Sequence, residues 1–252
     1  LVGSEMCIRD RADIEGIKVV NLSSKKRAKE LSKKYNIPLL DSKFVETYLS
    51  IGDKSILHSG NNKLENSFTS GKFSKRISQY QTETLLKKAI GWQSRGQKHI
   101  LDATGGLGHD SFILALLGQK ITLLEKNIGL CILIEEALYN LPNLPYFNDA
   151  KNNISIINGD SRAFLSSAKD FDVVYIDPMF NSKKKLKRTK QMEFLDDYLK
   201  EYDDPSVEFY DSNFKRLVIK KELRSTSSIK DCSAISFRGS SVRYDIYSKG
   251  EK

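Results

Sequence analysis

Residues His99–Asp110, with the sequence H-I-L-D-A-T-G-G-L-G-H-D, indicate the fold class of this chain. Its apolar start predicts a buried strand that ends near Asp102. Three glycines in four positions then predict a tight turn, because glycine tolerates positive φ angles and lets a ligand approach the backbone closely. Asp110 begins an apolar helix, which Gly118 ends. A strand, a glycine turn and a helix in this order are typical of a doubly wound α/β sheet that binds a nucleotide-like ligand at the turn.

The next apolar run, I-T-L-L-E over residues 121–125, closes on an acid. In this class of sheet an acid at the end of the second strand accepts hydrogen bonds from a ribose, whose two vicinal hydroxyls offer two donors to one carboxylate. Glu125 stands where such an acid is needed. An ordinary strand–helix turn and a solvated glutamate are the alternatives, and the spacing between glycine turn and acid disfavours both.

Composition narrows the class of protein. A chain of 252 residues suits one large domain or two unequal ones, and its formal net charge of +9 suits a polyanionic partner such as nucleic acid. No apolar run reaches the roughly 20 residues of a membrane helix, and no secretory segment is recognisable, so we expect a cytoplasmic protein without a membrane partner. We expect no metal site, because the cysteines and histidines are scattered: Cys7, Cys131, Cys232, His58, His99 and His109.

Three regions follow from the pattern of elements. Residues 1–11 contain S-E-M-C-I-R-D-R, which resembles a translated sequencing adaptor, and we interpret them as non-native. The sequence pattern of residues 12–78 predicts a small α+β module, with a strand at 17–21, helices at 25–35 and 43–50, and a hairpin over 55–68. Residues 79–252 form the larger domain.

The larger domain alternates strands and helices and ends in a hairpin around Arg238-Gly239-Ser240. This order predicts a sheet that is parallel except at one edge. We interpret residues 141–153 as a loop. The third strand, at 154–157, leads to Asp160 and Ser161. Asp160 either accepts a hydrogen bond from a base amino group or caps the following helix, and both readings stay open.

The tetrapeptide Asp177-Pro178-Met179-Phe180 follows the fourth strand, which we place beside the first strand at the switch point where such sheets bind ligands. A carboxylate and the Pro178 carbonyl can hold both hydrogens of an exocyclic amine. Phe180 can stack on a base, a contact worth about 1–3 kcal/mol. These groups suit methyl transfer to a planar amine, for which positioning supplies much of the rate. The alternative is a plain strand-ending Asp-Pro turn.

A basic run, K-K-K-L-K-R-T-K, occupies residues 183–190 directly after this turn. It is either a solvated loop or a clamp for the phosphates of a nucleic acid whose target base is unstacked into the pocket. Its position beside the amine-binding turn favours the clamp. The candidate RNA-binding residues are Lys183, Lys184, Lys185, Lys187, Arg188 and Lys190.

Several motifs together resemble one family. They are D-A-T-G-G-L-G-H-D-S-F, L-L-E-K-N, V-V-Y-I-D-P-M-F, V-I-K-K and the terminal R-Y-D-I-Y. Over residues 68–248 the chain is similar to the bacterial 16S ribosomal RNA guanine-N2 methyltransferases (RsmJ type), which are class I S-adenosylmethionine-dependent enzymes. It departs from them at residues 78–83, which lack a glycine, at Asn181, where a proline is expected, and at Asp160, where a small hydroxyl residue is expected.

The resemblance implies a Rossmann-like sheet of seven strands, mostly parallel with an antiparallel edge hairpin, beside the small N-terminal α+β module. It implies S-adenosylmethionine as cofactor and small-subunit ribosomal RNA as partner. The catalytic candidates are Asp177, Pro178 and Phe180. The cofactor candidates are Asp102, Gly105, Gly106, Gly108, His109, Asp110, Glu125, Lys126, Asp160, Ser161 and Asp177.

The expected function is therefore methylation of a guanine N2 amine in small-subunit ribosomal RNA. An adenine-N6 methyltransferase acting on DNA or RNA is an alternative, because the geometry of the amine is alike. A non-catalytic RNA-binding protein with the same fold is another. A nicotinamide-dependent oxidoreductase is disfavoured, because the turn lacks the full G-x-G-x-x-G spacing.

Overall fold

The computed structural model describes residues 14–41, 45–93, 96–178, 189–199, 204–227, 229–230 and 234–249. The adaptor-like segment, Phe180, and the basic run from Lys183 to Arg188 lie outside the described residues. Within the described ranges, no helix is both long and apolar enough to cross a membrane.

The N-terminal region forms a four-stranded sheet with the order β1-β2-β3-β4, in which β1 and β2 are parallel and the other pairs antiparallel. Its elements are β1 (Ile17–Val19), α1 (Lys25–Tyr35), β2 (Thr47–Ile51), β3 (Ile56–Ser59) and β4 (Asn62–Glu65).

The strand β2 corrects the helix that we predict over residues 43–50. Thr47 and Tyr48 favour strands locally, and β2 pairs with β1 on one side and β3 on the other. Its central position in the sheet satisfies its backbone from both sides, which a short isolated helix cannot match.

The second sheet has seven strands in the order β10-β11-β9-β8-β5-β6-β7. Strands β9, β8, β5, β6 and β7 run parallel, whereas β11 is antiparallel to both β9 and β10. The predicted parallel sheet with an antiparallel edge hairpin is confirmed. The strands are β5 (His99–Asp102), β6 (Lys120–Glu125), β7 (Ile154–Asn158), β8 (Val173–Ile176), β9 (Arg216–Glu222), β10 (Ile235–Arg238) and β11 (Val242–Ser248).

Among the described residues, the further α-helices are α2 (Gly71–Ser78), α3 (Thr84–Ile90), α4 (His109–Leu116), α5 (Ile128–Tyr139), α6 (Pro145–Asn152), α7 (Lys190–Leu199) and α8 (Ser206–Asp211), and 3-10 helices span Leu22–Ser24, Tyr80–Thr82 and Ser161–Asp170. The helix α6 replaces the loop predicted over residues 141–153. Pro145 stands in its first turn, where a proline is well tolerated, and Phe147 and Ala150 are buried.

Helix α5 packs between the two parts of the chain. Ile134 belongs to the core of the seven-stranded sheet, whereas Leu133 packs in a cluster with residues of the N-terminal sheet. Most residues of α5 are buried, as expected of a helix with apolar side chains on nearly every side. Its one deeply buried acid, Glu136, accepts hydrogen bonds of 2.7 Å from both Arg27 and Ser55. The N-terminal sheet is therefore attached by an apolar contact and by a buried charge that is paired.

Candidate active site

The carboxyl ends of four neighbouring parallel strands form one edge of the large sheet. In the order β8-β5-β6-β7, these strands end at or just before Asp177, Asp102, Glu125 and Asp160. The structure therefore brings together four acids that the sequence singles out at separate places. This edge contains the point at which the order of strands reverses, where doubly wound sheets bind their ligands.

The glycine turn after β5 packs directly against the end of β6. The backbone N–H of Gly105 donates to the carbonyl of Leu124 at 2.8 Å. A Cβ added at Gly105 would stand 2.4 Å from Cδ2 of Leu123, so no larger residue fits without moving β6 or the turn. Gly106 and Gly108 have φ angles of +55° and +72°, which favour glycine.

Asp102 holds the glycine turn through two hydrogen bonds. Its Oδ1 accepts a hydrogen bond from the N–H of Thr104 at 3.1 Å, and its Oδ2 accepts one from the Ser111 hydroxyl at 2.6 Å. Burial raises the pKa of Asp102 to about 7. Both oxygens are used within the strand–turn–helix unit, so this carboxylate acts on the shape of the turn.

Glu125 is held at the end of β6 by two backbone donors. Oε2 accepts from the N–H of Gly106 at 2.7 Å, and Oε1 accepts from the N–H of Asn127 at 2.8 Å. Burial raises the pKa of Glu125 to about 7. Each carboxylate oxygen can accept a second hydrogen bond, so this acid keeps acceptor capacity for a ligand. The side chain of the next residue, Lys126, is exposed.

Asp160 caps the 3-10 helix that follows β7. Its Oδ1 accepts from the N–H of Arg162 at 2.8 Å, and the Asp160 side chain is half exposed. Ser161 beside it is buried. The structure thus confirms that Asp160 caps this helix, and its carboxylate is half exposed.

His109 forms part of the wall of a cavity of about 640 Å³ between the N-terminal sheet and the start of α7. Its imidazole stacks on Phe73 with ring centroids 4.1 Å apart. Burial lowers the pKa of His109 to about 4, so the ring is neutral at pH 7. Other residues that line the cavity are Lys54, Asn66, Ser70 and Lys190.

Asp110 is the centre of a buried charge cluster. Its Oδ1 accepts from Nη1 of Arg76 at 2.6 Å, and its Oδ2 accepts from the Tyr175 hydroxyl at 2.5 Å and from Nζ of Lys220 at 2.8 Å. Burial alone would raise the pKa of this carboxyl, but Lys220 and Arg76 hold it well below its usual range. Asp110 is therefore a permanent anion at neutral pH.

Lys220 joins Asp110 to Asp177. Its Nζ lies 2.6 Å from Oδ2 of Asp177, and the backbone N–H of Asp177 donates to Oγ1 of Thr104 at 2.7 Å. Burial raises the pKa of Asp177, and Lys220 opposes that shift. Within the described ranges, Oδ1 of Asp177 accepts no hydrogen bond.

Sequence reasoning missed Lys220, Tyr175 and Thr104 as members of this site. A signal for Lys220 is present in the register, because Ile176 of β8 lies opposite Ile219 of β9 and the next residues are Asp177 and Lys220. It becomes readable only once β8 and β9 are known to be neighbours. In the part of the chain that the structure describes, no group of three or more His, Cys, Asp or Glu side chains is arranged to hold a metal ion.

Residues 31–249 match the family model described as "Putative SAM-dependent methyltransferase". Ribosomal RNA small subunit methyltransferase J from Francisella tularensis subsp. novicida is 32% identical over 216 residues, covering 81% of this chain and 88% of the relative. The protein of the same name from Francisella philomiragia is 28% identical over 211 residues, with coverage of 81% and 88%.

A solved S-adenosylmethionine-dependent methyltransferase from Neisseria gonorrhoeae shares the fold, with a TM-score of 0.68 at 23% identity and coverage of 92% of this chain and 95% of that one. The family model spans most of the chain, and the first of these relatives is matched over most of both lengths. The chain belongs to the S-adenosylmethionine-dependent methyltransferases, in the family of ribosomal RNA small subunit methyltransferase J.

Proposed function

We propose that this enzyme methylates the exocyclic N2 amine of a guanine in small-subunit ribosomal RNA. One observation carries the proposal: the carboxylate of Asp177 lies at the switch point of the sheet, with Oδ2 held by Lys220 and, among the described residues, no partner on Oδ1. A fixed acceptor beside the glycine turn is what recognition of an amine hydrogen requires.

The residues at this edge fit S-adenosylmethionine. The close approach of Gly105 to Leu123 leaves the turn without side-chain bulk, and Glu125 presents acceptor capacity at the end of β6, where a ribose is held in this fold. When bound, S-adenosylmethionine supplies a methyl group on a positively charged sulfur, which an amine nitrogen can attack without prior activation. Gly106, Gly108, Asp160 and Ser161 are the other proposed contacts at the loop and at the end of β7, with His109, Asp110 and Lys126 beside them.

Asp177 would orient the amine. Its Oδ1 accepts one amine hydrogen and the Pro178 carbonyl accepts the other, which turns the nitrogen lone pair away from both oxygens. Phe180 would stack on the base. As the nitrogen gains a bond to carbon it becomes acidic, and the carboxylate of Asp177 can take its proton.

The choice of RNA rests on charge and on the relatives. The formal net charge is +9, and two relatives carry the name ribosomal RNA small subunit methyltransferase J. Lys190 is exposed at the start of α7, beside the cavity that His109 lines. With Lys183, Lys184, Lys185, Lys187 and Arg188, it would hold substrate phosphates next to the target base.

The test is transfer of a labelled methyl group to small-subunit ribosomal RNA from a strain in which the homologous gene is deleted. Both free RNA and intact subunits serve as substrates, and the RNA is digested to nucleosides for mass spectrometry. We expect labelled N2-methylguanosine, and none with wild-type RNA that is already modified.

Three other outcomes contradict the proposal in different ways. Labelled N6-methyladenosine would replace guanine by adenine as the target. Labelled protein or small molecule without labelled RNA would exclude RNA as substrate. Calorimetry that detects no binding of S-adenosylmethionine would favour a non-catalytic RNA-binding protein.

A further inference from the structure

We propose that Lys220 is a positioning residue for methyl transfer: its ammonium group orients the carboxylate of Asp177 and keeps it charged, so that Oδ1 faces the amine. The inference rests on the role proposed above for Asp177. It adds a residue that the motifs around the glycine turn and the Asp-Pro turn do not contain.

The position of Lys220 follows from the strand that carries it. Leu217, Val218 and Ile219 are fully buried in β9, and the parallel register with β8 brings the next residue level with Asp177. Side chains alternate between faces along a strand. Lys220 therefore faces the site, whereas Lys221 lies on the opposite face with Nζ 4.0 Å from Asp204.

Asp110 holds the ammonium group from the side opposite Asp177. The Nζ of Lys220 lies 2.8 Å from Oδ2 of Asp110 and 2.6 Å from Oδ2 of Asp177. Asp110 also accepts from Arg76 and Tyr175, so three protein donors hold its carboxylate. Asp110 is thus an anchor for the lysine, whereas Asp177 keeps Oδ1 for the substrate.

The positive charge of Lys220 is needed between the carboxylates of Asp110 and Asp177. Asp110 and Asp177 share one ammonium group; the Asp110 side chain is 8% exposed and the Asp177 side chain 32% exposed. Without a cation between them, two neighbouring carboxylates repel each other, which favours protonation of the more weakly held one. Asp110 keeps Arg76, so the loss of Lys220 would raise the pKa of Asp177 and increase its protonated fraction. A protonated Asp177 could no longer receive a proton from the amine.

Neighbouring side chains hold Lys220 and Arg76 in place. The Lys220 side chain is 19% exposed, and Arg76 is itself held by Glu83 at 2.5 Å. The titratable groups that face Lys220 and Asp177 from the surrounding elements are Arg76 on α2, Asp102 on β5, Asp110 on α4, Tyr175 on β8 and Tyr244 on β11.

The experiment compares Lys220→Met, Lys220→Arg and Lys220→Gln with a matched control, Lys215→Met. Lys215 pairs with Asp172 at the amino ends of the same two strands, so the control removes an ion pair from β8 and β9 away from the site. The protein is assayed with S-adenosylmethionine and RNA for kcat, KM and the dependence of kcat on pH.

For Lys220→Met we expect kcat to fall by roughly 100-fold, the scale set by misplacement of a reacting group, with KM for RNA changed by less than about threefold because no RNA contact is lost. The acid limb of the pH profile should move to higher pH, because Asp177 loses its cation. Lys220→Arg should restore at least about a tenth of the wild-type kcat. Lys215→Met should match the wild type.

A kcat within about threefold of wild type for Lys220→Met, with an unmoved pH profile, would overturn the proposal. If that variant does not fold, Lys220→Gln decides in its place, because it removes the charge and still offers a hydrogen-bond donor. A second check adds Lys220→Met to Asp177→Asn. Little further loss is expected there, and a full additional loss would show that Lys220 acts independently of Asp177.

A measurement that does not depend on enzyme activity separates this inference from the choice of substrate. The carboxyl carbon of Asp177 is followed by ¹³C NMR in aspartate-labelled protein and assigned with Asp177→Asn. We expect its titration midpoint to rise in Lys220→Gln, and an unchanged midpoint would overturn the inference. This result holds whether the methylated base is guanine, adenine or neither.

Discussion

The backbone N–H of Gly106 donates a hydrogen bond of 2.7 Å to Oε2 of Glu125. This contact joins the turn after β5 to the last residue of β6. Because Asn127 holds the other oxygen of the same carboxylate at 2.8 Å, the glycine turn and the acid form one rigid unit. A ligand that binds here meets an acid already oriented, which lowers the entropic cost of binding.

Glu125 should make cofactor affinity depend on pH. Its pKa is raised to about 7 by burial, and only the ionised form can accept from both ribose hydroxyls. Affinity for S-adenosylmethionine should therefore be full above pH 7 and fall about tenfold per pH unit below it. Calorimetry from pH 5.5 to about 8.5 measures this dependence.

Two variants test whether Glu125 causes the pH dependence of the affinity for S-adenosylmethionine. Glu125→Gln should bind more weakly at pH 8 and lose the pH dependence, whereas the exposed Glu30→Gln on α1 should behave as wild type. Asp102 has a similar pKa, also about 7. A pH dependence that persists in Glu125→Gln would therefore identify Asp102 as the titrating group.

Gly105→Ala should disturb the turn directly. The new Cβ would stand 2.4 Å from Cδ2 of Leu123 and 2.9 Å from the carbonyl oxygen of Leu124, so β6 or the turn must move. We expect a loss of about 1–3 kcal/mol in the free energy of unfolding and weaker binding of S-adenosylmethionine. Gly159→Ala is the matched control, because a Cβ there meets no atom within 4 Å. Equal losses in both variants would contradict the steric explanation.

Asp177→Asn should separate chemistry from binding. Asparagine keeps the size of the side chain and can accept from Lys220, but it cannot take a proton from the amine. We expect kcat to fall by roughly 100-fold or more, with the affinity for S-adenosylmethionine nearly unchanged. Asp172→Asn, at the other end of β8, is the control. Full activity of Asp177→Asn on a verified RNA substrate would remove Asp177 from the reaction.

The basic run should govern the salt dependence of RNA binding. The test variant carries Gln in place of Lys183, Lys184, Lys185, Lys187, Arg188 and Lys190. The slope of log affinity against log salt concentration should become smaller in magnitude by up to about 4, because each contact with a single-strand phosphate contributes about 0.7. Filter binding at several salt concentrations measures this slope.

The control for that variant changes exposed lysines of α1, namely Lys25, Lys26, Lys29 and Lys33. Their replacement by Gln removes four positive charges from the N-terminal module, against six in the basic-run variant. An equal loss of slope per charge in both variants would mean that overall charge, rather than a local clamp, attracts the RNA.

Local sequence patterns correctly predicted the elements whose boundaries are marked by strong local signals. The glycine turn around Gly105, the acid at Glu125 and the strand before Asp177 all lie where the sequence places them, because glycine, proline and β-branched residues act over a few positions. The helix over 145–152 and the strand over Thr47–Ile51 were assigned wrongly. Residues 145–152 become a helix that buries Phe147 and Ala150, and Thr47–Ile51 become a strand that pairs with β1 and β3, so packing against distant segments stabilises both conformations.

Parallel strands of one sheet end on the same side, and Asp102, Glu125, Asp160 and Asp177 each follow an apolar run, so the sequence alone predicts four acids at one edge. The tertiary structure adds the cations, with Arg76 beside Asp110 and Lys220 between Asp110 and Asp177. Arg76 is 34 residues from Asp110, and Lys220 is 43 residues from Asp177. These ion pairs depend on the neighbour relation of β8 and β9 and on the docking of α2, which burial of apolar surface brings about. Burial then supplies the low dielectric that makes the pairs strong.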